Sequence, residues 1–136
     1  MSRTLKVNPA GLGVKKFTIQ AAQDWMLYSG VSLADVVNED EMHGVKLGGV
    51  GFMRAPKGET TSFEFAYDEV LVITRGRCSV RTGAETVTAQ AGEVIYLSAG
   101  VPCSFHADED TELVYIASSP YGEVNRDAKA SLLSQK

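Results

Sequence analysis

Glu69 is the residue whose type and neighbours most clearly suggest chemistry. It follows Tyr67-Asp68, opens the apolar run Val70-Leu71-Val72-Ile73, and has Phe63 and Phe65 a few positions upstream. Side chains alternate between the two faces of a strand. If Glu69 points inward, Leu71 and Ile73 do too, and Asp68 points out as a surface turn carboxylate. A carboxylate among Phe63, Phe65, Leu71 and the later Phe105 is hard to bury unless it is paired, hydrogen-bonded, protonated or bound to a metal. Such a group suits ligand binding or general acid–base catalysis. The plainer alternative is a carboxylate that accepts a hydrogen bond from Tyr67 or a backbone amide and fixes a turn. Tyr67 likewise has two readings. Its hydroxyl orients a ligand or Glu69, or it is an amphipathic core residue with a satisfied hydroxyl.

Cys103 and Glu64 extend the set. Cys103 shares a strand face with Phe105, and as a thiolate it would bind a soft metal or act as a nucleophile. A small buried hydrophobe is the alternative. Glu64, Glu69 and Cys103 together would give three ligands with room for a water, a recognised catalytic metal arrangement, although this trio is unusual. No cofactor is assigned on these grounds, and a divalent metal at that trio is the one the residues admit. Tyr115 and Tyr96 either line a cavity or seal the core. His106 falls on the face opposite Cys103 and Phe105, and His43 sits in a polar loop, so both read as surface residues. Cys78 reads as structural. The sequence contains no Gly-x4-Gly-Lys-Ser/Thr phosphate loop.

The elements that would position these residues are strands. Runs of strand-forming residues recur every 8–12 positions from residue 45 onward, with turn signals between them. This is the pattern of an antiparallel sandwich or barrel. Val45 to Arg54 is strand-like but glycine-rich, so a bulge or bend is expected there. Thr61–Phe65, Glu69–Thr74, Arg77–Arg81, Glu85–Ala89, Ser104–His106 and Glu112–Ala117 read as strands. Val94–Leu97 is a continuous apolar run, as in a strand buried on both faces. Before residue 45, Lys15–Ile19 suggests a short edge strand guarded by lysines. Ser32–Val37 suggests a short helix capped by Ser32, or a loop. Trp25 to Tyr28 suggests the cap of a barrel end or a subunit contact. The chain thus divides into an N-terminal extension at 1–44, a barrel at 45–118 and a polar tail at 119–136.

With 136 residues, 44% hydrophobic and 22% charged, the composition is that of one ordinary globular domain. The net charge is −4 and the basic residues are scattered, which argues against a nucleic-acid partner. No apolar stretch approaches the roughly 20 residues that span a bilayer, so no membrane partner is expected. Met1 to Lys6 lacks the apolar run of a signal peptide, which predicts a cytoplasmic protein with Cys78 and Cys103 as free thiols.

The motifs resemble those of the cupin superfamily. Glu69 and Gly76 have the spacing of the last two positions of the first cupin motif, and no register places a histidine at its metal positions. In the second motif Gly92 and Gly100 match, while Ser98 stands for Pro, Cys103 for His and Ala107 for Asn. Tyr67-Asp68-Glu69-Val70, Arg75-Gly76, Ala91-Gly92-Glu93-Val94 and Leu113 to Ala117 resemble the ethanolamine-utilisation protein Q (EutQ) branch, with Gly51-Phe52-Met53 fitting upstream. Phe63 stands where that branch has Trp. The resemblance covers about residues 45–118. It implies an all-β, single-domain cupin, a double-stranded β-helix or jelly-roll barrel, with a small-molecule site in its mouth. It also implies a link to ethanolamine or related small-amine and aldehyde catabolism, and to bacterial microcompartments. An acetate kinase activity is attributed to that family, and nothing in these residues independently points to phosphoryl transfer.

Three functions fit. One is a small-molecule-binding cupin that uses Glu69 and Tyr67, with Glu64, Phe63, Phe65, Leu71, Cys103, Phe105 and Tyr115 around the ligand. Another is a metal-dependent lyase, isomerase or aminohydrolase at Glu69 with Cys103 or Glu64. A third is a non-catalytic scaffold or sensor. Whether the chain is an enzyme stays open. Cupins often pair, and strand exchange by residues 1–30 would give a homodimer.

Overall fold

The computed structural model describes residues 12–42 and 44–120. It is built from ten strands: β1 (Met26–Tyr28), β2 (Val31–Asn38), β3 (Gly49–Ala55), β4 (Thr60–Phe63), β5 (Glu69–Arg75), β6 (Arg77–Arg81), β7 (Thr86–Gln90), β8 (Val94–Leu97), β9 (Cys103–Ala107) and β10 (Thr111–Ala117). There is no helix among the described residues. No helix is long and apolar enough to cross a membrane. The strands form a six-stranded sheet in the order β1-β2-β3-β10-β5-β8 and a four-stranded sheet in the order β4-β9-β6-β7. Every pairing is antiparallel.

Period-two patterning drives the arrangement. Thr111, Leu113, Tyr115 and Ala117 of β10 are buried, and the residues between them are half-exposed. In β5 Glu69, Leu71 and Ile73 are buried, and in β9 Cys103, Phe105 and Ala107 are. The two inner faces form one core, in which Phe105, Ile73, Leu113, Val31 and Cys78 are the largest fully buried side chains. Both cysteines are buried free thiols.

The turns follow from residue type. Gly76 joins β5 to β6 with φ at +82°, and a Cβ there would run into the Asp110 carbonyl. Only glycine takes that conformation without strain. Asn38 opens the acidic turn, its Oδ1 accepting from the Asp40 amide at 2.8 Å.

Three sequence expectations need correction. Ser32–Val37 is neither helix nor loop but most of β2, bonded to β1 on one side and β3 on the other. A register shift between Asp35 and Val37 breaks the alternation, and the burial in this strand recurs at intervals that mimic a helix. The bulge or bend expected in the glycine-rich Val45 to Arg54 stretch is present as a bend at Leu47 and Gly48, just before β3. Lys15–Ile19 is not a strand. The chain turns instead at Thr18, whose carbonyl accepts from the Ala21 amide at 3.2 Å. Val94–Leu97 is buried on one face only, because β8 is an edge strand whose Val94 and Tyr96 face outward. The stretch 1–44, read as an extension of edge strands and loops, contains β1 and β2, which are hydrogen-bonded at the edge of the six-stranded sheet. The expected tail from residue 121 and His43 lie outside the described residues.

The two outer faces differ in chemistry. On the four-stranded sheet Thr60, Ser79, Thr88 and His106 point outward, with Thr60 bonded to His106 at 3.0 Å and Ser79 to Thr88 at 2.9 Å. On the six-stranded sheet the outward set includes Val50, Phe52, Val70, Val72, Val94, Tyr96, Val114 and Ile116.

Removing the largest buried side chain tests where the core lies. Phe105→Ala should cost about 3–5 kcal/mol of unfolding free energy in chemical denaturation. A loss below ~1 kcal/mol would mean that Phe105 does not pack between the two sheets.

Candidate functional site

Between the inner faces lies a cavity of about 110 Å³, several times what one water needs. Its back wall is the six-stranded sheet, with Glu69 and Leu71 on β5 and Tyr115 on β10. Thr61 on β4 and Phe105 on β9 close the opposite side. Tyr28, Val31 and Leu33 come from β1 and β2, and Met53 from β3. The chain between β4 and β5 supplies Phe65 and Tyr67, which extend a column begun by Phe63. Phe63 stacks on Phe65 at 4.8 Å and Phe65 on Tyr67 at 4.7 Å, with the rings nearly parallel. The three rings, two residues apart along the chain, all face the cavity.

Glu69 is 7% exposed and begins β5. Its carboxyl has no side-chain hydrogen bond among the described residues, and it opens onto the cavity. Burial pushes its pKa up to about 8, and the charge of Asp35 adds to the rise. At neutral pH Glu69 is therefore mostly a neutral acid. Tyr67, buried beside it, has its hydroxyl pKa raised by burial first and then by the charges of Glu69, Tyr28 and Asp35. Burial also raises that of Tyr28.

Asp35 is held from two sides. The Tyr115 hydroxyl donates to it, and Asn38 Nδ2 donates at 3.1 Å. Asp35, Gly51 and Tyr115 form one row across β2, β3 and β10. The row exists because position 51 has no side chain. A Cβ there would overlap both the Tyr115 hydroxyl and the Ala34 carbonyl. Thr61 supplies the last polar group. Its Oγ1 is buried and has no hydrogen-bond partner.

Asp68, next to Glu69, has the opposite environment. Its carboxylate accepts from the Tyr96 hydroxyl and, at 2.8 Å, from the Ala99 amide. Those two hydrogen bonds, in that order, lower its pKa. Asp68 thus fastens β8 and the Ser98–Gly100 turn from outside.

Of the residues singled out from the sequence, Glu69, Tyr67, Glu64, Phe63, Phe65, Leu71, Phe105 and Tyr115 all line the cavity. Glu64 is exposed and sits at its rim. Cys103 does not line it. Its side chain borders a separate, open depression with Pro102 and Ser104, and its Sγ donates to the Val101 carbonyl at 3.3 Å. Burial raises its thiol pKa, away from a reactive thiolate. Among the described residues no three His, Cys, Asp or Glu side chains are placed to share a metal ion, so Glu69, Cys103 and Glu64 do not converge. Tyr96 lies outside, against Asp68, and His106 faces Asp108 at 3.7 Å on the outer surface.

Sequence reasoning missed Asp35, Thr61 and Tyr28. Asp35 was hidden by the helical reading of its segment. The signal lay in Val31, Leu33 and Asp35 themselves, which alternate as a strand would until the bulge. Among the described residues no Lys, Arg or His lines the cavity. It is an acidic, aromatic chamber in which the deep Glu69 carboxyl can hold or release a proton near neutrality.

Comparison with known proteins places this geometry. The sequence profile of the family described as Ethanolamine utilisation protein EutQ matches residues 5–121. An uncharacterised protein of Streptomyces coelicolor is 36% identical over 73 residues, 52% of this chain and 70% of its own. A crystal structure assigned to ethanolamine utilization protein Q of Salmonella typhimurium LT2 superposes with a TM-score of 0.62 at 26% identity, covering 69% of this chain and 77% of that one. The cupin domain of Schizosaccharomyces pombe Cnp3, at 16% identity and a TM-score of 0.63 over 82% of this chain and 79% of that one, shares the fold. The chain has the cupin fold and belongs to the ethanolamine utilisation protein EutQ family.

Proposed function

We propose that this chain is a small-molecule-binding protein whose site is the Glu69 cavity, and that it serves in or beside small-amine or aldehyde catabolism. One observation carries the binding reading. The carboxyl of the buried Glu69 opens onto a cavity and has no side-chain hydrogen bond among the described residues, while Thr61 nearby leaves a buried hydroxyl unpaired. Buried polar groups of folded proteins are nearly always satisfied, and a cluster of unsatisfied ones in a cavity points to a partner that arrives from outside. Family membership supports the pathway assignment. In any reaction at this site, Glu69 is the group able to pass a proton and Tyr67 the hydroxyl beside it.

A second reading concerns a partner. The outer face of the four-stranded sheet is polar, as expected for a solvated face, while that of the six-stranded sheet is apolar from β3 to β8. Val94 is 58% and Tyr96 61% exposed on that face. A large apolar sheet face facing water favours association. A second copy, docked by the same face about a two-fold axis, would cover both.

Ligand screening by thermal shift tests the site. A bound small molecule should raise the melting temperature of the wild type and leave Glu69→Gln unmoved. If a broad panel of small amines, aldehydes, alcohols and acids shifts neither protein, the cavity is not a binding site. Stability against pH tests the state of Glu69. The unfolded carboxyl loses its proton near 4.5 and the folded one near 8, so the folded chain binds more protons in between. Unfolding free energy should fall as pH rises through that window, by on the order of a few kcal/mol, and level off above it. Glu69→Gln should flatten the slope, and an unchanged slope would place the carboxyl in water. Sedimentation velocity tests the partner. The wild type should run as a dimer and Val94→Lys should shift toward monomer, whereas a wild-type monomer overturns the second reading.

A further inference from the structure

We infer that the ligand of the Glu69 cavity is a small organic ammonium ion, its charged head against the Glu69 carboxyl and the Thr61 hydroxyl and its hydrocarbon part among the aromatic rings. The inference rests on the binding reading above and adds the chemical class.

The charges around the cavity are of one sign. Glu69 lies deep and Glu64 at the rim. Asp35 sits behind Tyr115 and is close enough to oppose the ionisation of Glu69. Among the described residues no Lys, Arg or His lines the chamber to offset them. The other titratable groups facing Glu69 are Tyr67, Tyr28 and Tyr115, from the β4–β5 link, β1 and β10, and when ionised they too are negative. Among the described residues, an anion brought here meets only carboxylates and phenols. A cation supplies the countercharge that these residues lack.

The walls agree with the charge. Phe65, Tyr67, Tyr28, Phe105 and Tyr115 present aromatic surface, which attracts cations as well as hydrocarbon. The unpaired Thr61 Oγ1 can accept from an N–H. An ammonium head that retains N–H groups therefore satisfies two side chains that are otherwise unsatisfied. The volume of about 110 Å³ limits the ligand to a few heavy atoms.

Calorimetric titration with a series from methylammonium to isobutylammonium chloride, each beside the alcohol and carboxylate of matching skeleton, tests the class. At least one ammonium ion should bind more tightly than its alcohol and carboxylate counterparts. Glu69→Gln should weaken that binding at least about tenfold, and Thr61→Val severalfold. Affinity should rise about tenfold from pH 7 to pH 9, because binding needs the Glu69 proton gone and its pKa is about 8. At pH 7 the heat should vary with the buffer's ionisation enthalpy as that proton leaves. If an alcohol or carboxylate binds as well or better, the ammonium assignment fails and the cavity stands as a binding site. Ammonium binding that Glu69→Gln leaves intact also overturns it. If no probe binds, both the class and the site are wrong.

Discussion

The pleat at Asp68–Glu69 is the constraint on which the site depends. Two adjacent carboxylates cannot share a face of an extended strand. One is sent out to meet a tyrosine hydroxyl and a backbone amide, where its charge is stabilised. The other is sent in, where no donor waits for it and its proton is retained. The outer member also ties β8 and its following turn to the start of β5, so Glu69 is held in place by its neighbour's bonds.

The inner face turns that placement into a chamber. Ring stacking from Phe63 to Tyr67 builds one wall from chain that lies largely outside regular strands. The opposite wall is sheet. The histidines of the typical cupin motif have no counterpart here, and the cavity is lined instead by phenyl and phenol rings and carboxylates, which changes what the barrel mouth can hold. Imidazole favours a metal; this lining favours something that brings its own positive charge or its own hydrogen bonds.

Much of this was legible in the sequence, and the reason is periodicity. Glu69, Leu71 and Ile73 occur at alternate positions, and so do Cys103 and Phe105, so parity alone placed them on inner faces. The glutamate-to-glycine spacing of Glu69 and Gly76 marked a strand and its turn, and Gly76 indeed has the backbone angle that only glycine readily takes. What was not legible depended on interruptions of the pattern. The bulge in β2 disguised a strand as a helix and concealed Asp35. Cys103 had the right parity, yet it stands toward the end of its sheet and opens on another depression. Parity fixes which face a side chain takes, not how far along the strand the cavity extends. Val94 and Tyr96 looked like core because a run of apolar residues does not show whether the second face meets protein or water.

Gly51 has a consequence for how the chamber works. Because that position lacks a side chain, the Tyr115 ring can lie across β3 and lock to Asp35 on β2. Three strands are thereby latched together by a contact made over a bare stretch of backbone, so the sheet wall is stiff. Among the described residues the facing wall has no such side-chain latch: Phe63 and Phe65 are only partly buried, tied through their backbone to β9 and to the Gly100 amide, and their rings meet only by stacking. Stiffness is therefore unequally divided around the void, and a guest would pass in and out by parting the rings of the softer side while the tyrosine floor keeps its shape.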